Sequence, residues 1–284
     1  MIAPNSRIAN PTVGTTTPSN EPIPSTSPSR MPPRGTPDRV ERTAANQTSA
    51  LNVLTAELIG TGVWSADSNG NVVHSSMSQC EQTVARTSIP IIVAAAHRAG
   101  VTDPNQMAYV LATAEHESKD GARMHELGNG DTYGVAGHDS YFDKYEPGQP
   151  LAKTVGNSQS GDGATFKGRG FTQLTGRANY ASMSTLLGRG PRDLVEHPEQ
   201  VEHDPTLAAD VLARGLTKAG GFTGAGNLAR LIPAGQPPGK ADFYHARAAV
   251  NGIVESQATI VSNEARALAP IFARYRTALF GETH

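Results

Sequence analysis

Ala114-Glu115-His116-Glu117-Ser118, then His125-Glu126, then Gly168-Arg169-Gly170-Phe171-Thr172-Gln173-Leu174-Thr175-Gly176-Arg177-Ala178-Asn179-Tyr180: these three pieces lie between Tyr109 and Tyr180 and decide how the 284-residue chain is read. Carboxylates a few residues apart, followed by a glycine-rich polar segment, supply what acid–base hydrolysis of a glycosidic bond needs. One carboxyl protonates the leaving oxygen and a second activates water. The first piece ends the best-marked helix in the sequence. Asp103 predicts its N-cap, Pro104 fits the first helical position, and Gln106 predicts the reciprocal capping-box contact. Met107, Val110, Leu111 and Ala114 make its apolar stripe, and Gly121 predicts a left-handed stop just past Lys119 and Asp120.

Glu115 and Glu117 fall in the last turn of that helix. At about 100° per residue they lie roughly 200° apart, so one cleft does not take both and one of them is structural. A carboxylate in the last turn meets the negative end of the helix macrodipole, which favours its protonated form, and partial burial acts the same way. That environment suits a general acid. The bland alternative is a pair of solvated glutamates at a helix end.

Working outward, a helix is predicted from Ser88 to a stop at Gly100, with Pro90 in its first turn and Ile91, Ile92, Ala95 and Ala96 on one face. Asp38 to Leu58 reads as helical and Gly60 to Gly70, with Asn69-Gly70-Asn71, as turns; no strand signal is as strong. A final helix is predicted from Glu255 to Leu279, broken or kinked at Pro270 and packed on the outside.

More than half of residues 1–37 are Pro, Ser or Thr, with almost no large apolar side chain, which predicts disorder. The stretch lacks the charged start and apolar run of a usual secretory signal. The expected organisation is a leader over 1–45 and one domain over 46–284. No run approaches the eighteen or so apolar residues of a membrane span. A net charge of −2 gives no bulk attraction to nucleic acid. The single cysteine, Cys80, excludes an internal disulfide and reads as a small hydrophobe rather than a nucleophile.

In order along the chain, His116-Glu117-Ser118, Glu126-Leu127-Gly128, Tyr141-Phe142-Asp143-Lys144-Tyr145, Gly156-Asn157, Gly161-Asp162-Gly163-Ala164 and Gly168 to Tyr180 resemble the glycoside hydrolase family 19 chitinases and the related phage and bacterial endolysins. Asp193-Leu194-Val195-Glu196-His197-Pro198, Asp204-Pro205-Thr206-Leu207-Ala208 and Val250-Asn251-Gly252 extend the likeness, which covers roughly 88–255. The resemblance implies a mainly α, two-lobed lysozyme-like domain with a substrate cleft. It makes Glu117 the general acid, Glu126 the general base, Thr175 the hydroxyl that helps hold the water, and Gln173, Asn179 and Asn251 sugar contacts. Glu115 is then the structural glutamate. Arg169 and Tyr180 fall in the same segment as candidate substrate contacts, with Arg169 and Arg177 alternatively partners of the glutamates. The family inverts the anomeric centre, which requires roughly 6.5 to 9.5 Å between carboxyl groups for a water to fit.

The chain also departs from the family. Asn129 to Ser140 lengthens a loop beside Glu126, and Arg214-Gly215-Leu216 stands where a tryptophan-bearing helix end is usual. Trp64 is the only tryptophan, so aromatic platforms for sugar rings fall to Tyr133, Tyr141, Tyr145 and Tyr180. His116, Glu117, His125, Glu126, His138 and Asp139 offer metal ligands, but none has zinc-protease spacing, and no cofactor is expected. A non-catalytic glycan-binding module is the third class. The motif set is closer to the wall-degrading enzymes than to plant chitinases, favouring peptidoglycan over chitin. The leader fits a chain released by lysis or passed through a dedicated export apparatus, with that machinery or a chaperone as partner, acting at the wall or periplasm.

Overall fold

The computed structural model describes residues 63–66, 72–75, 77–128, 139–218, 221–222, 228–235, 238–251 and 258–280. The leader, the predicted Asp38 to Leu58 helix, Tyr133, most of the lengthened loop and Glu255 lie outside the described residues, so the division at residue 45 does too. The first elements are two strands, β1 (Val63–Ala66) and β2 (Val72–Ser75), paired antiparallel with Trp64 opposite His74 and Ala66 opposite Val72. This corrects the reading of the region as turns alone.

Helix α1 (Gln79–Arg98) begins well before the predicted Ser88, and Pro90 sits in its interior rather than its first turn. The start is set by a capping box: the Glu81 amide donates to Ser78 Oγ (3.2 Å) and the Ser78 amide donates to the Glu81 carboxylate (2.8 Å). Burial pushes the Glu81 carboxyl up, but the Ser78 amide and Lys119, 2.9 Å away, outweigh it and bring it down to about 2.

Helix α2 (Pro104–Ser118) starts as predicted, Asp103 Oδ1 accepting from the Asn105 and Gln106 amides. Gln106 does not reach back to the cap. Its Nε2 donates instead to the Ile232 carbonyl (3.2 Å), tying α2 to a distant loop. The left-handed stop begins two residues before the glycine, at Lys119 (φ 50°) and Asp120 (φ 53°), and runs through Gly121 (φ 95°). A Cβ at Gly121 would stand 2.9 Å from both the Phe171 ring and Ser88 Oγ, so packing as well as backbone conformation selects glycine there.

Then follow a 3-10 helix (Asp139–Tyr145), α3 (Pro150–Val155), α4 (Asp162–Thr165), α5 (Arg177–Leu186), α6 (Asp193–Glu196), α7 (Gln200–His203), α8 (Pro205–Thr217), α9 (Leu228–Leu231), α10 (Lys240–Asn251) and α11 (Ala258–Phe280). Helix α8 packs along α1, and the Phe222 ring covers Gly215, where a Cβ would stand 2.6 Å from Phe222 Cδ2; an aromatic from the following turn thus closes this helix end without tryptophan. Helix α11 runs unbroken through Pro270 and lies along α2, burying Ala267, Leu268, Ile271 and Tyr275. It is central rather than external, because α2 is apolar nearly all round from Met107 to Ala114 and needs cover on more than one side.

Two cores divide the molecule. The larger gathers α1, α2, α5, α8, α10 and α11; the smaller is Phe142, Tyr145 and Val155 with Tyr141, Leu151 and Ala164 against them, from the 3-10 helix, α3 and α4. This is the mainly α-helical, lysozyme-like arrangement that the sequence predicts. Among the described residues no helix is long and apolar enough to cross a membrane.

Candidate functional site

Glu126 sits where the two cores meet, on a ladder only a few residues long. His125 bridges Arg169 antiparallel, Arg169 bridges Leu174, the Glu126 amide donates to the Gly168 carbonyl (2.7 Å), and the Gly170 amide donates to the Met124 carbonyl (2.7 Å). Phe171 and Leu174 anchor the turn of this ladder in the larger core. From the smaller lobe, Tyr145 Oη (3.0 Å) and Lys144 Nζ (3.2 Å) both donate to Glu126 Oε1, while the Gly168 amide donates to Oε2 (3.3 Å). Lys144 is itself held over the Tyr141 ring, 3.3 Å from its centroid. Burial first, then the Glu126 charge, pushes the Tyr145 phenol far above the usual tyrosine range, so Tyr145 remains a donor to that carboxylate.

The two glutamates at the end of α2 diverge as helix geometry requires. Glu115, 1% exposed, pairs with Arg274 of α11, whereas Glu117, 6% exposed, pairs with the equally enclosed Arg247 of α10. Glu115 is thus walled in by the C-terminal helix. Beside it Asp120 is fully buried and accepts from Tyr275 Oη (2.9 Å). Burial first and then the Glu115 charge push the Asp120 carboxyl well up, against the Tyr275 hydrogen bond and the charge of Arg274. A carboxyl raised on folding contributes stability below its unfolded value, about 3.8, and that contribution is lost as pH rises through the folded value. The neutral isostere does not titrate. Asp120→Asn is therefore expected to gain on the parent in melting temperature as pH is raised from about 4 to 8, and a gap that stays constant over that range would rule out the linkage.

The remaining candidates cluster unevenly. A Cβ at Gly168 would stand 3.0 Å from Gln173 Oε1 and 3.2 Å from Thr175 Oγ1, so Gln173, Thr175 and Glu126 surround one glycine. Gln173 holds a left-handed backbone (φ 53°), rare for a residue with a side chain and a mark of a position fixed by its surroundings. Its Nε2 donates to the Gly170 and Arg123 carbonyls; Thr175 Oγ1 donates to the Gln173 carbonyl (2.8 Å) and Asn179 Nδ2 to the Thr175 carbonyl (2.7 Å).

Tyr180 and Arg169 do not face outward. Tyr180 is 0% exposed and donates to the Lys167 carbonyl, and Arg169 reaches the Thr165 carbonyl (2.8 Å), Tyr180 Oη and Glu202. Both hold the segment from inside, as does Tyr145. Tyr141 is the half-exposed tyrosine at this junction. Arg177 pairs with Asp162 (2.9 Å), so neither Arg169 nor Arg177 partners a candidate glutamate. Lys144 and Arg247 do, and sequence reading missed both. Lys144 lay within a quoted motif, while Arg247 carries no local signal because its role arises only when α10 folds back on α2. Asn251 ends α10, one turn past Arg247, and its side-chain surroundings lie outside the described residues. Among the described residues no group of three or more His, Cys, Asp or Glu is placed to hold a metal ion; His138 lies outside them.

No family model matches the chain. A curated Haemophilus influenzae protein named as a glycosyl hydrolase family 19 domain-containing protein is 34% identical over 116 aligned residues, covering 34% of this chain and 56% of that relative. The chain thus spans little more than half the length of the relative it matches. The similarity supports a glycoside hydrolase of family 19 type.

Proposed function

We propose that the chain is a family 19 glycoside hydrolase that cleaves β-1,4 bonds of N-acetylated wall glycan, peptidoglycan in preference to chitin, by an inverting acid–base mechanism. The observation that carries this reading is the setting of Glu126. A carboxylate at the junction of two lobes is oriented by Lys144, Tyr145 and the Gly168 amide, with Thr175 and Gln173 around the same glycine. In the mechanism Glu126 takes a proton from a water that attacks the anomeric carbon, while Glu117 gives a proton to the departing glycosidic oxygen. The bond to the leaving sugar breaks as the bond to water forms, inverting the centre.

Arg247 bears on the acid. Its guanidinium pairs with Glu117 and so holds that carboxyl in place at the end of α2. The leader fits release by lysis or a dedicated export route, placing the activity at the wall or periplasm. The test is incubation with isolated peptidoglycan and, separately, with chitin oligomers, followed by mass spectrometry of the new ends. Reducing N-acetylmuramic acid ends are the expected result; cleavage of chitin oligomers alone overturns the substrate, and cleavage of neither overturns the enzyme.

A further inference from the structure

Glu202, on the short helix α7, takes no part in the proposed reaction, yet its carboxylate bridges the two residues that pair across the ladder carrying Glu126. His125 Nδ1 stands 2.6 Å from Glu202 Oε1 and Arg169 Nε 3.4 Å from Oε2. His125 immediately precedes Glu126, and Arg169 immediately follows Gly168, whose amide donates to Glu126 Oε2 and whose carbonyl accepts from the Glu126 amide. The carboxylate thus pins both rungs on one side of the candidate base, while Tyr145 and Lys144 hold it from the other. Arg169 also donates to the Thr165 carbonyl (2.8 Å) and Tyr180 Oη (3.2 Å), so Glu202 connects His125 to a side chain held at several points. Of the charged groups facing this link, His203 Nε2 lies 3.8 Å from Glu202 Oε1 and is mostly exposed.

We propose that Glu202 is a positioning residue for Glu126, acting through His125 and Arg169 on the register of the ladder. This rests on Glu126 being the base. The physical argument is directional. Successive residues of an extended strand face opposite ways, so a hold on the His125 side chain on one face fixes where the Glu126 side chain emerges on the other. Loss of that hold leaves the helices intact and displaces a carboxylate whose placement relative to water sets the rate, where an error of about 1 Å can reduce turnover by as much as a hundredfold.

The test compares the parent with Glu202→Gln, His125→Gln and the double variant in three readouts: kcat and KM on peptidoglycan, melting temperature, and the carboxyl carbon resonance of Glu126, assigned by its absence in Glu126→Gln. Each single variant is expected to lower kcat about tenfold with KM within about twofold, to move the Glu126 resonance, and to leave the double variant no worse than the singles, as expected of residues acting as one unit. Glu202→Asp, which keeps the charge, is expected to recover part of kcat. If kcat falls only in proportion to lost stability with the Glu126 resonance unmoved, or nothing changes, the positioning role is overturned. A resonance that moves in an inactive protein refutes the hydrolase reading and leaves the positioning standing. An active parent whose Glu126 resonance is indifferent to Glu202 does the reverse.

Discussion

Replacing Glu126 by Gln is expected to lower turnover by about a hundredfold or more, the range lost when a positioned acid or base is removed. The amide keeps the shape and one acceptor for Tyr145 and Lys144, but its NH2 group has to face either those donors or the Gly168 amide. A modest loss of stability therefore accompanies the loss of activity. Glu117→Gln is expected to reduce turnover by a similar factor and to cost more stability, because it neutralises the carboxylate paired with the Arg247 guanidinium, which is 1% exposed. Removing one partner of a buried ion pair costs about 3–5 kcal/mol, and the amide's remaining acceptor recovers part of that. The two effects separate experimentally: circular dichroism gives the folded fraction, and turnover is expressed per folded molecule. Glu115→Gln should also destabilise, through Arg274, but leave turnover per folded molecule within a few-fold. If Glu126→Gln retains turnover within tenfold of the parent, or Glu115→Gln abolishes it while Glu117→Gln does not, the assignment of roles is wrong.

The parts legible in the sequence were those fixed by near neighbours. Asp103 and Pro104 set the start of α2, and the roughly 200° offset separates Glu115 from Glu117 without help from any tertiary contact. The errors share a physical origin in longer-range contacts or in competing local signals. Ser78-x-x-Glu81 is as good a capping box as any in the sequence, and it overrides the start that Pro90 suggests for α1. A proline within a long, well-capped helix is tolerated when packing on both sides compensates for the lost amide. Pro270 repeats the lesson: α11 continues past it because the apolar surface of α2 has to be covered. Arg247, Lys144 and Arg274 became partners of carboxylates through chain returns of many residues, which no periodicity reports.

The quoted motifs also changed meaning on folding. Gly156-Asn157 and much of the Asp162 to Arg177 stretch carry the family resemblance. They are largely the seam between the lobes: Asn157 Oδ1 accepts from the Arg177 amide (2.8 Å), Asn157 Nδ2 donates to the Tyr145 carbonyl (3.0 Å), and Asp162 holds the Arg177 guanidinium. Tyr180 and Arg169 belong to the same framework. The polar character that suggested sugar binding serves in part to satisfy buried backbone groups where irregular chain passes through the interior.

That seam carries the second large effect. Gly176 precedes α5 with φ +94°, and a Cβ there would stand 2.5 Å from Val155 Cβ and closer still to the Val155 carbonyl oxygen at the end of α3. The glycine cannot shift aside freely, because its amide donates to the Phe166 carbonyl (2.8 Å) and its carbonyl accepts from the Tyr180 amide (3.1 Å). Gly176→Ala therefore incurs about 1–3 kcal/mol for a side chain in a backbone region (φ 94°, ψ 139°) that essentially only glycine adopts, and about 1–3 kcal/mol for overpacking, roughly 2–6 kcal/mol in all. Relief comes only by parting α3 from α5, which draws the smaller lobe away from the larger. Since Tyr145 and Lys144 reach Glu126 from the smaller lobe, turnover per folded molecule should fall as well. Gly148→Ala is the control: its φ is +98°, yet nothing lies within 4 Å of a Cβ there, so it bears the backbone strain without the clash. Denaturant titration should find Gly176→Ala at least about 1 kcal/mol less stable than Gly148→Ala, with only Gly176→Ala losing turnover per folded molecule. Equal losses in the two variants would mean that the lobes are not held by this contact, and that the smaller lobe reaches Glu126 by some other support.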